Sequence, residues 1–426
     1  MDTVIFALLS CLAAVVAIPV VIFLLEVAVG VAALHFGDHD SRAASRIRSR
    51  TMPDARDIRV AVLVPAHDEG ANLVPTIEDI KRQLRTGDRL LVVADNCSDD
   101  TALIASSAGA EVIERIDVAR RGKGWALDFG VRYLKLDPPD IVIMVDADCR
   151  LTAGTIDQLS ATCVATRRPV QALDIMNMPE PATISHRVAA FAWIVKNWLR
   201  PLGLHSLGFP CQLMGTGMAF PWNTIQSADL ANGWIVEDLK LGLDLAAAGH
   251  PPLFCPAARV TSTFPSTPAA TTSQRTRWEH GHIATILYVA PSLVVRAVRR
   301  GHWPVLALTL DLAVPPLSLL ALAVTGLFVL ACISAMVGLS IIPAVVSGAL
   351  LLSFVFAVAI AWIYAGRDIL PFRDIWSIAP YVAAKLGLYV GICTGNRVSH
   401  WVRTERDAGA HDASDRKSRE WRSKQG

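Results

Sequence analysis

The chain has 426 residues, 53% of them hydrophobic and 18% charged, with a mean hydropathy of +0.41. That balance excludes a disordered protein and an ordinary soluble enzyme, so part of the chain belongs in lipid. The 40 basic and 38 acidic residues nearly cancel, at a net +2. This gives no case for nucleic acid as a partner, since such binders concentrate positive charge.

The first predicted element is a membrane helix. Val4 to Leu25 carries no charge, and about 20 helical residues cross a bilayer core. A cleaved signal peptide is the competing reading, but only Asp2 precedes the run, with no basic n-region. A retained transmembrane anchor over residues 1–35 is therefore expected. Arg42, Arg46, Arg48 and Arg50 follow it and put the next segment on the cytoplasmic side by the positive-inside rule. Glu26, at the end of the run, is expected to snorkel to the interface.

Residues 55–300 read as a cytoplasmic α/β domain. Strands are predicted at Val60 to Val64, Leu90 to Ala94, Glu111 to Glu114 and Ile141 to Val145. Helices are predicted at Ala71 to Leu84, Asp100 to Ala108 and Gly124 to Leu134. Strands alternating with helices imply a doubly wound, mostly parallel sheet, and such sheets bind ligands at the carboxyl ends of their strands.

Those strand ends are acidic. The first runs into Pro65, Ala66, His67, Asp68 and Glu69, the second into Asp95, Asn96, Cys97, Ser98, Asp99 and Asp100, and the fourth into Asp146, Ala147 and Asp148. Converging carboxylates repel unless a cation lies among them, and Mg²⁺ or Mn²⁺ shared with substrate phosphates is the natural solution. Asp68 and Asp99 also suit helix capping. Eight cysteines without CxxC or paired spacing read as small buried hydrophobes in a reducing compartment.

Further along, Glu237 and Asp238 open a helical pattern from Leu239 to Ala248, where acidic residues favour the first turn. Residues 303–366 are expected to form two transmembrane helices, since Leu312 to Gly366 is uncharged, with a tight turn near Met336 to Ser340. Residues 367–400 hold Pro380 and Lys385 and form an interfacial helix or a third C-terminal span. The basic tail 404–426 is expected to be disordered.

The runs VAVLVPAHDE, VVADNCSDDT, ERIDVARRGKGWALDFG and VIMVDADC, in that order, resemble the inverting family 2 glycosyltransferases, whose catalytic domain has the GT-A nucleotide-sugar-binding fold. Val236-Glu237-Asp238 resembles the family's (T)ED motif, with Val where Thr is common. The run Gln274, Arg275, Thr276, Arg277, Trp278 matches QxxRW, the mark of membrane-embedded polysaccharide synthases such as the cellulose, chitin, hyaluronan and poly-N-acetylglucosamine synthases. The resemblance covers about residues 58–290.

The resemblance implies a role for each matching position. Pro65, His67, Asp68 or Glu69, and Asp95 would bind the nucleoside, and Lys123 would help hold the nucleotide, a solvated surface lysine being the competing reading. Asp146 would contact the nucleotide sugar and, with Asp148, the metal. Asp238 would be the catalytic base, with Glu237 beside it. Gly215, Thr216, Gly217, Gln274, Arg277 and Trp278 would face the acceptor, with Arg277 able to pair with the diphosphate. A polar interfacial role is expected for His280 and His282.

The implied function is inverting transfer from a nucleotide-diphosphate sugar, with a UDP-sugar expected, to a growing polysaccharide at the inner membrane, with membrane lipids as further partners. The alternative is single-sugar transfer to a polyisoprenyl-linked or other lipid acceptor. Fewer predicted membrane helices than in the large synthases favour this alternative, whereas QxxRW favours the polymer.

Overall fold

A computed structural model describes residues 2–36, 58–231, 233–234, 236–387 and 389. The described residues form two compact units: those within 58–182 and 210–281 make one, and those within 2–36, 183–209 and 282–389 the other.

The first unit is built on an eight-stranded sheet of order β3-β2-β1-β4-β7-β6-β8-β5. Its centre is β1 (Val60–Ala66), flanked by β2 (Arg89–Asp95) and β4 (Ile141–Met144), both parallel to it. Successive side chains on a strand face opposite ways, so the uniformly apolar β1 serves two cores. Val60, Val62 and Val64 pack with Ile77, Ile80, Ile156 and Leu159, from the Val74–Lys81 and Thr155–Thr166 helices. Ala61 and Leu63 pack with Leu127, Val131, Leu241 and Leu245, from the Lys123–Leu134 and Glu237–Ala247 helices. Helices therefore cover both faces, as the alternating pattern predicts.

The chain moves from β1 outward through β2 to β3 (Glu111–Arg115), then returns to place β4 on the other side of β1. Strand order reverses at β1, so the carboxyl ends of β1 and β4 flank a topological switch point, where doubly wound sheets bind ligands.

Two expectations need correction. The sheet is mixed rather than mostly parallel: β7 (Met218–Pro221) runs antiparallel to β4 and to β6 (Val170–Asn177), and β5 (Arg150–Leu151) antiparallel to β8 (Leu253–Thr263). Strand direction depends on the connections, which local hydropathy does not encode. The helix expected over Ala71 to Leu84 is a 3₁₀ turn at Gly70–Leu73 followed by the Val74–Lys81 helix. Pro75, which has no N–H to donate, stands in the first turn of that helix.

Among the described residues, the second unit contains three helices long and apolar enough to cross a membrane, Asp2–His35, Leu317–Met336 and Ile342–Gly366. The 303–366 stretch is thus a short Trp303–Leu312 helix ahead of the two long ones. Beyond them, the described part of the 367–400 stretch is a 3₁₀ turn at Phe372–Ser377 and the short Ile378–Ala384 helix. The basic cluster Arg42 to Arg50 and the 404–426 tail lie outside the described residues.

Glu26 does not snorkel. It is 4% exposed and accepts a 2.6 Å hydrogen bond from Arg200 Nε, while Arg200 Nη2 donates to Asp311 Oδ1 at 2.6 Å and to the Asp311 carbonyl at 2.8 Å. All three side chains are buried, so the Asp2–Phe36, Arg200–Ser206 and Trp303–Leu312 helices meet at one guanidinium. Removing one partner of a buried ion pair leaves an uncompensated charge. Arg200→Leu is expected to cost about 3–5 kcal/mol, read as a lowered unfolding temperature in detergent, and the Glu26→Leu, Arg200→Met, Asp311→Leu triple variant is expected to recover most of the loss.

Candidate active site

Lys123, the first residue of its helix, lies at the centre of the site. Its ammonium is 2.5 Å from Asp146 Oδ1 and 3.9 Å from Glu237 Oε1, and it donates a 2.8 Å hydrogen bond to the Gly215 carbonyl. Gly215 has φ +93, and a methyl group there would lie 3.4 Å from Asp238 Oδ2 and 3.5 Å from Lys123 Nζ. Asp146 follows β4, residues 215–217 lead into β7, and Glu237 and Asp238 open the Glu237–Ala247 helix. Four separate chain segments thus bring one ammonium among three carboxylates.

Burial alone would lower the Lys123 pKa, but the charges of Asp146, Glu237 and Asp238 outweigh it and hold the ammonium above its ordinary range. Burial pushes the Glu237 carboxyl up and the Asp238 charge adds to this, against the pull of Lys123, leaving it at about 7. Of the two adjacent carboxylates facing this cation, Glu237 is thereby left titrating near neutrality.

The loop before β7 is held by a residue that its sequence position did not single out. Gln171, fully buried on β6, donates from Nε2 to the Thr216 carbonyl at 2.9 Å and accepts from Met214 N–H at 2.8 Å. Thr216 Oγ1 accepts from Asp146 N–H at 3.1 Å. Its legible signal was a polar side chain inside the apolar run of β6. Gly217 has a packing reason of its own, since a methyl group there would come within 2.8 Å of Ala172 Cβ.

Most of the residues expected to bind the nucleoside stand together at the ends of β1 and β2, already tied to the protein. Asp95 Oδ1 accepts from Arg115 Nη1 at 2.6 Å, in a buried pair that sequence reading missed. His67 Nδ1 donates to the Asp95 carbonyl at 2.7 Å, Glu69 N–H donates to Thr101 Oγ1 at 2.9 Å, and Asp68 accepts from Ser98 N–H at 2.6 Å. Pro65 is half-buried within β1. Asp68 and Asn96 both sit at φ 51, in the left-handed region, which Asp and Asn tolerate better than most residues. Asp99 accepts from Thr101 N–H at 3.0 Å, at the first residue of the Thr101–Ser107 helix, whose N-cap position is Asp100.

A grouping of His67, Asp68 and Cys97 has ligand atoms within 4.8 Å of one another. It suits Mg²⁺ or Mn²⁺ poorly: these are hard cations that prefer oxygen donors, burial pushes the Cys97 thiol up, and Asp68 already accepts from Ser98. Asp148 is a half-buried carboxylate beyond β4, beside Asp146 in sequence, and offers the donor chemistry that a hard cation requires.

Gln274, Arg277 and Trp278 lie on the Pro268–Tyr288 helix at spacings of three and four, hence on one face. Gly281 continues that face, and a methyl group on it would meet Val236 Cγ1 at 2.6 Å. The motif helix therefore packs directly against the residue preceding Glu237. Arg277 interacts electrostatically with Glu237 and Asp146. Gln274 is buried and Trp278 half-buried. Of the two histidines further on, His282 is buried rather than interfacial, with Nε2 3.0 Å from the Leu312 carbonyl.

Residues 57–281, more than half of the chain, match the sequence profile of glycosyltransferase-like family 2. The chain belongs to that family. It is 26% identical over 249 residues to the probable glycosyltransferase YdaM of Bacillus subtilis (strain 168), covering 54% of this chain and only 56% of that protein's length. An uncharacterized glycosyltransferase of Mycobacterium bovis is 28% identical over 189 residues, 39% of this chain and 82% of the relative. Among solved structures, the mannosyltransferase PcManGT from Pyrobaculum calidifontis, in complex with GDP-Man and Mn²⁺, has the same fold at a TM-score of 0.50. It shares 16% identity and covers 88% of this chain and all of that one.

Two outcomes follow from this geometry. Gly281→Ala should lower kcat/KM at least about tenfold through displacement of Val236, and Val236→Ala in the same chain should restore most of it, as steady-state kinetics would read. Because folding raises the Glu237 pKa from 4.5 to about 7, the folded state binds more protons than the unfolded one between these values. Its stabilising contribution is therefore present below about pH 4.5 and lost as pH rises through 7. The unfolding temperature should fall less steeply between pH 5 and 8 in Glu237→Gln than in the unaltered protein.

Proposed function

We propose that this protein is a glycosyltransferase that moves a sugar from a nucleotide-diphosphate donor, with inversion, to a growing polysaccharide, at the cytoplasmic face of the inner membrane. The observation that carries the reading is the Lys123-centred group of Asp146, Glu237 and Asp238 at the sheet's switch point, with Arg277 in electrostatic reach. The family match supports it, as do the GDP-Man and Mn²⁺ bound by the structural neighbour. Three helices able to cross a membrane agree with the location.

In this reading Asp238 takes the proton of the acceptor hydroxyl. The acceptor oxygen bonds to the anomeric carbon on the face opposite the diphosphate. The bond between that carbon and the phosphate oxygen breaks, and the nucleoside diphosphate leaves with its electron pair. Lys123 orients Asp146 and the Gly215 carbonyl, and Glu237, titrating near neutrality, limits the repulsion on Asp238. Asp148 would hold Mg²⁺ or Mn²⁺, which neutralises charge growing on the leaving group. Arg277 suits a fork-like pairing with the diphosphate, and Trp278 offers a flat face to the acceptor sugar. Pro65, His67, Glu69 and Asp95 form the rim for the nucleoside.

A second reading, single-sugar transfer to a polyisoprenyl-linked or other lipid acceptor, is favoured by the small number of candidate spans among the described residues. Full-length protein supplied with a panel of UDP-sugars and GDP-mannose, with Mg²⁺ or Mn²⁺, separates the two by product mass: a ladder of lengths means a polymerase, a single addition the lipid-linked reaction. Asp238→Asn is expected to lower kcat by about 10²–10⁴-fold with little change in donor KM, and Asp148→Ala to abolish the response to added metal. Unchanged turnover in both variants would overturn the assignments.

A further inference from the structure

We propose that the Ala290–Arg300 helix is a docking surface for anionic phospholipid headgroups. The inference is independent of the sugar-transfer reading, since it concerns a different unit of the chain and a different ligand. At 3.6 residues per turn, this helix divides into three stripes. Ala290, Leu293 and Ala297 are buried, at 6%, 5% and 3% exposure. Pro291, Val295 and Val298 form an exposed apolar stripe, the two valines at 50% and 62%. Arg296, Arg299 and Arg300 form an exposed basic stripe beside it.

Water does not suit an apolar stripe, and hydrocarbon does not suit three arginines within eleven residues. The boundary between acyl chains and headgroups suits both, and guanidinium groups match phosphate geometry. Charge selects the partner: residues 280–310 contain no Asp or Glu, and none of the three arginines is ion-paired among the described residues. Tyr288 and Trp303, 58% and 69% exposed, flank the helix at its two ends, where aromatic side chains anchor a segment at a membrane interface.

The helix is also held in a fixed direction. Gly301, at φ +61, ends it, with Gly301 N–H donating to the Val298 carbonyl and His302 N–H to the Ala297 carbonyl, the paired bonds of a Schellman turn. The chain then enters the Trp303–Leu312 helix, whose Asp311 is held by Arg200 together with Glu26 of the long N-terminal helix. The arginine stripe is thereby tied to a helix able to cross the bilayer.

The test is native mass spectrometry of the detergent-purified full-length chain titrated with dioleoyl-phosphatidylglycerol or dioleoyl-phosphatidylcholine. The unaltered protein should bind the anionic lipid several-fold more tightly. Each arginine near a charged surface is worth about fivefold, so Arg296→Gln, Arg299→Gln, Arg300→Gln together should reduce phosphatidylglycerol binding at least about tenfold and leave phosphatidylcholine binding unchanged. Size exclusion and circular dichroism confirm that the variant is folded. Equal binding of the two lipids by the unaltered protein, or undiminished phosphatidylglycerol binding by the folded variant, would overturn the proposal.

Discussion

The first unit depends on one half-buried ammonium. Asp146, Glu237 and Asp238 come from different parts of the chain, and without Lys123 among them their mutual repulsion would oppose the approach of β4, the loop before β7 and the Glu237–Ala247 helix. One cation does not balance three carboxylates: burial first, and the neighbouring Asp238 charge after it, leave Glu237 titrating at about 7 rather than 4.5 against the pull of Lys123. The structural and chemical roles of Lys123 thus come from the same electrostatic arrangement.

The second unit solves a similar problem with one carboxylate fewer: one guanidinium holds two carboxylates, Glu26 and Asp311, away from water. Such pairs gain little net stability over apolar packing, but removing one partner is costly. They are directional, however, and apolar helices are not. Val20, Phe23 and Val27 could slide against Phe354 and Ala357 with little change in contact chemistry, whereas the Arg200 fork accepts one register. The same pairing fixes the Trp303–Leu312 helix and, through the turn at Gly301, the direction of the amphipathic segment before it.

Much of this was legible in the chain. Apolar runs such as VAVLVPA mark strands buried on both faces, and the 3.6-residue spacing of Gln274, Arg277 and Trp278 puts them on one helix face. The acidic strand ends stood out because polar residues abruptly follow apolar ones. Partnerships were less legible. The sequence does not show that Lys123 pairs with Asp146 or that Asp95 holds Arg115, and Glu26, expected to snorkel, is buried on Arg200. Gln171 was passed over because a single amide in a strand carries no motif, and its value arises only from the loop that lies against it.

The sequence by itself determined the first four strands and most of the helices between them, the layered α/β class of the first unit, the long apolar helices and the order of the family's motifs, because these follow from periodicity and local composition. Only the tertiary structure decided which strands run antiparallel, which carboxylate each cation neutralises and that Gly281 seats the motif helix against Val236. The physical reason is that hydropathy is a property of a segment, whereas ion pairing and close packing belong to pairs of residues far apart in the chain, whose meeting depends on the connections between elements.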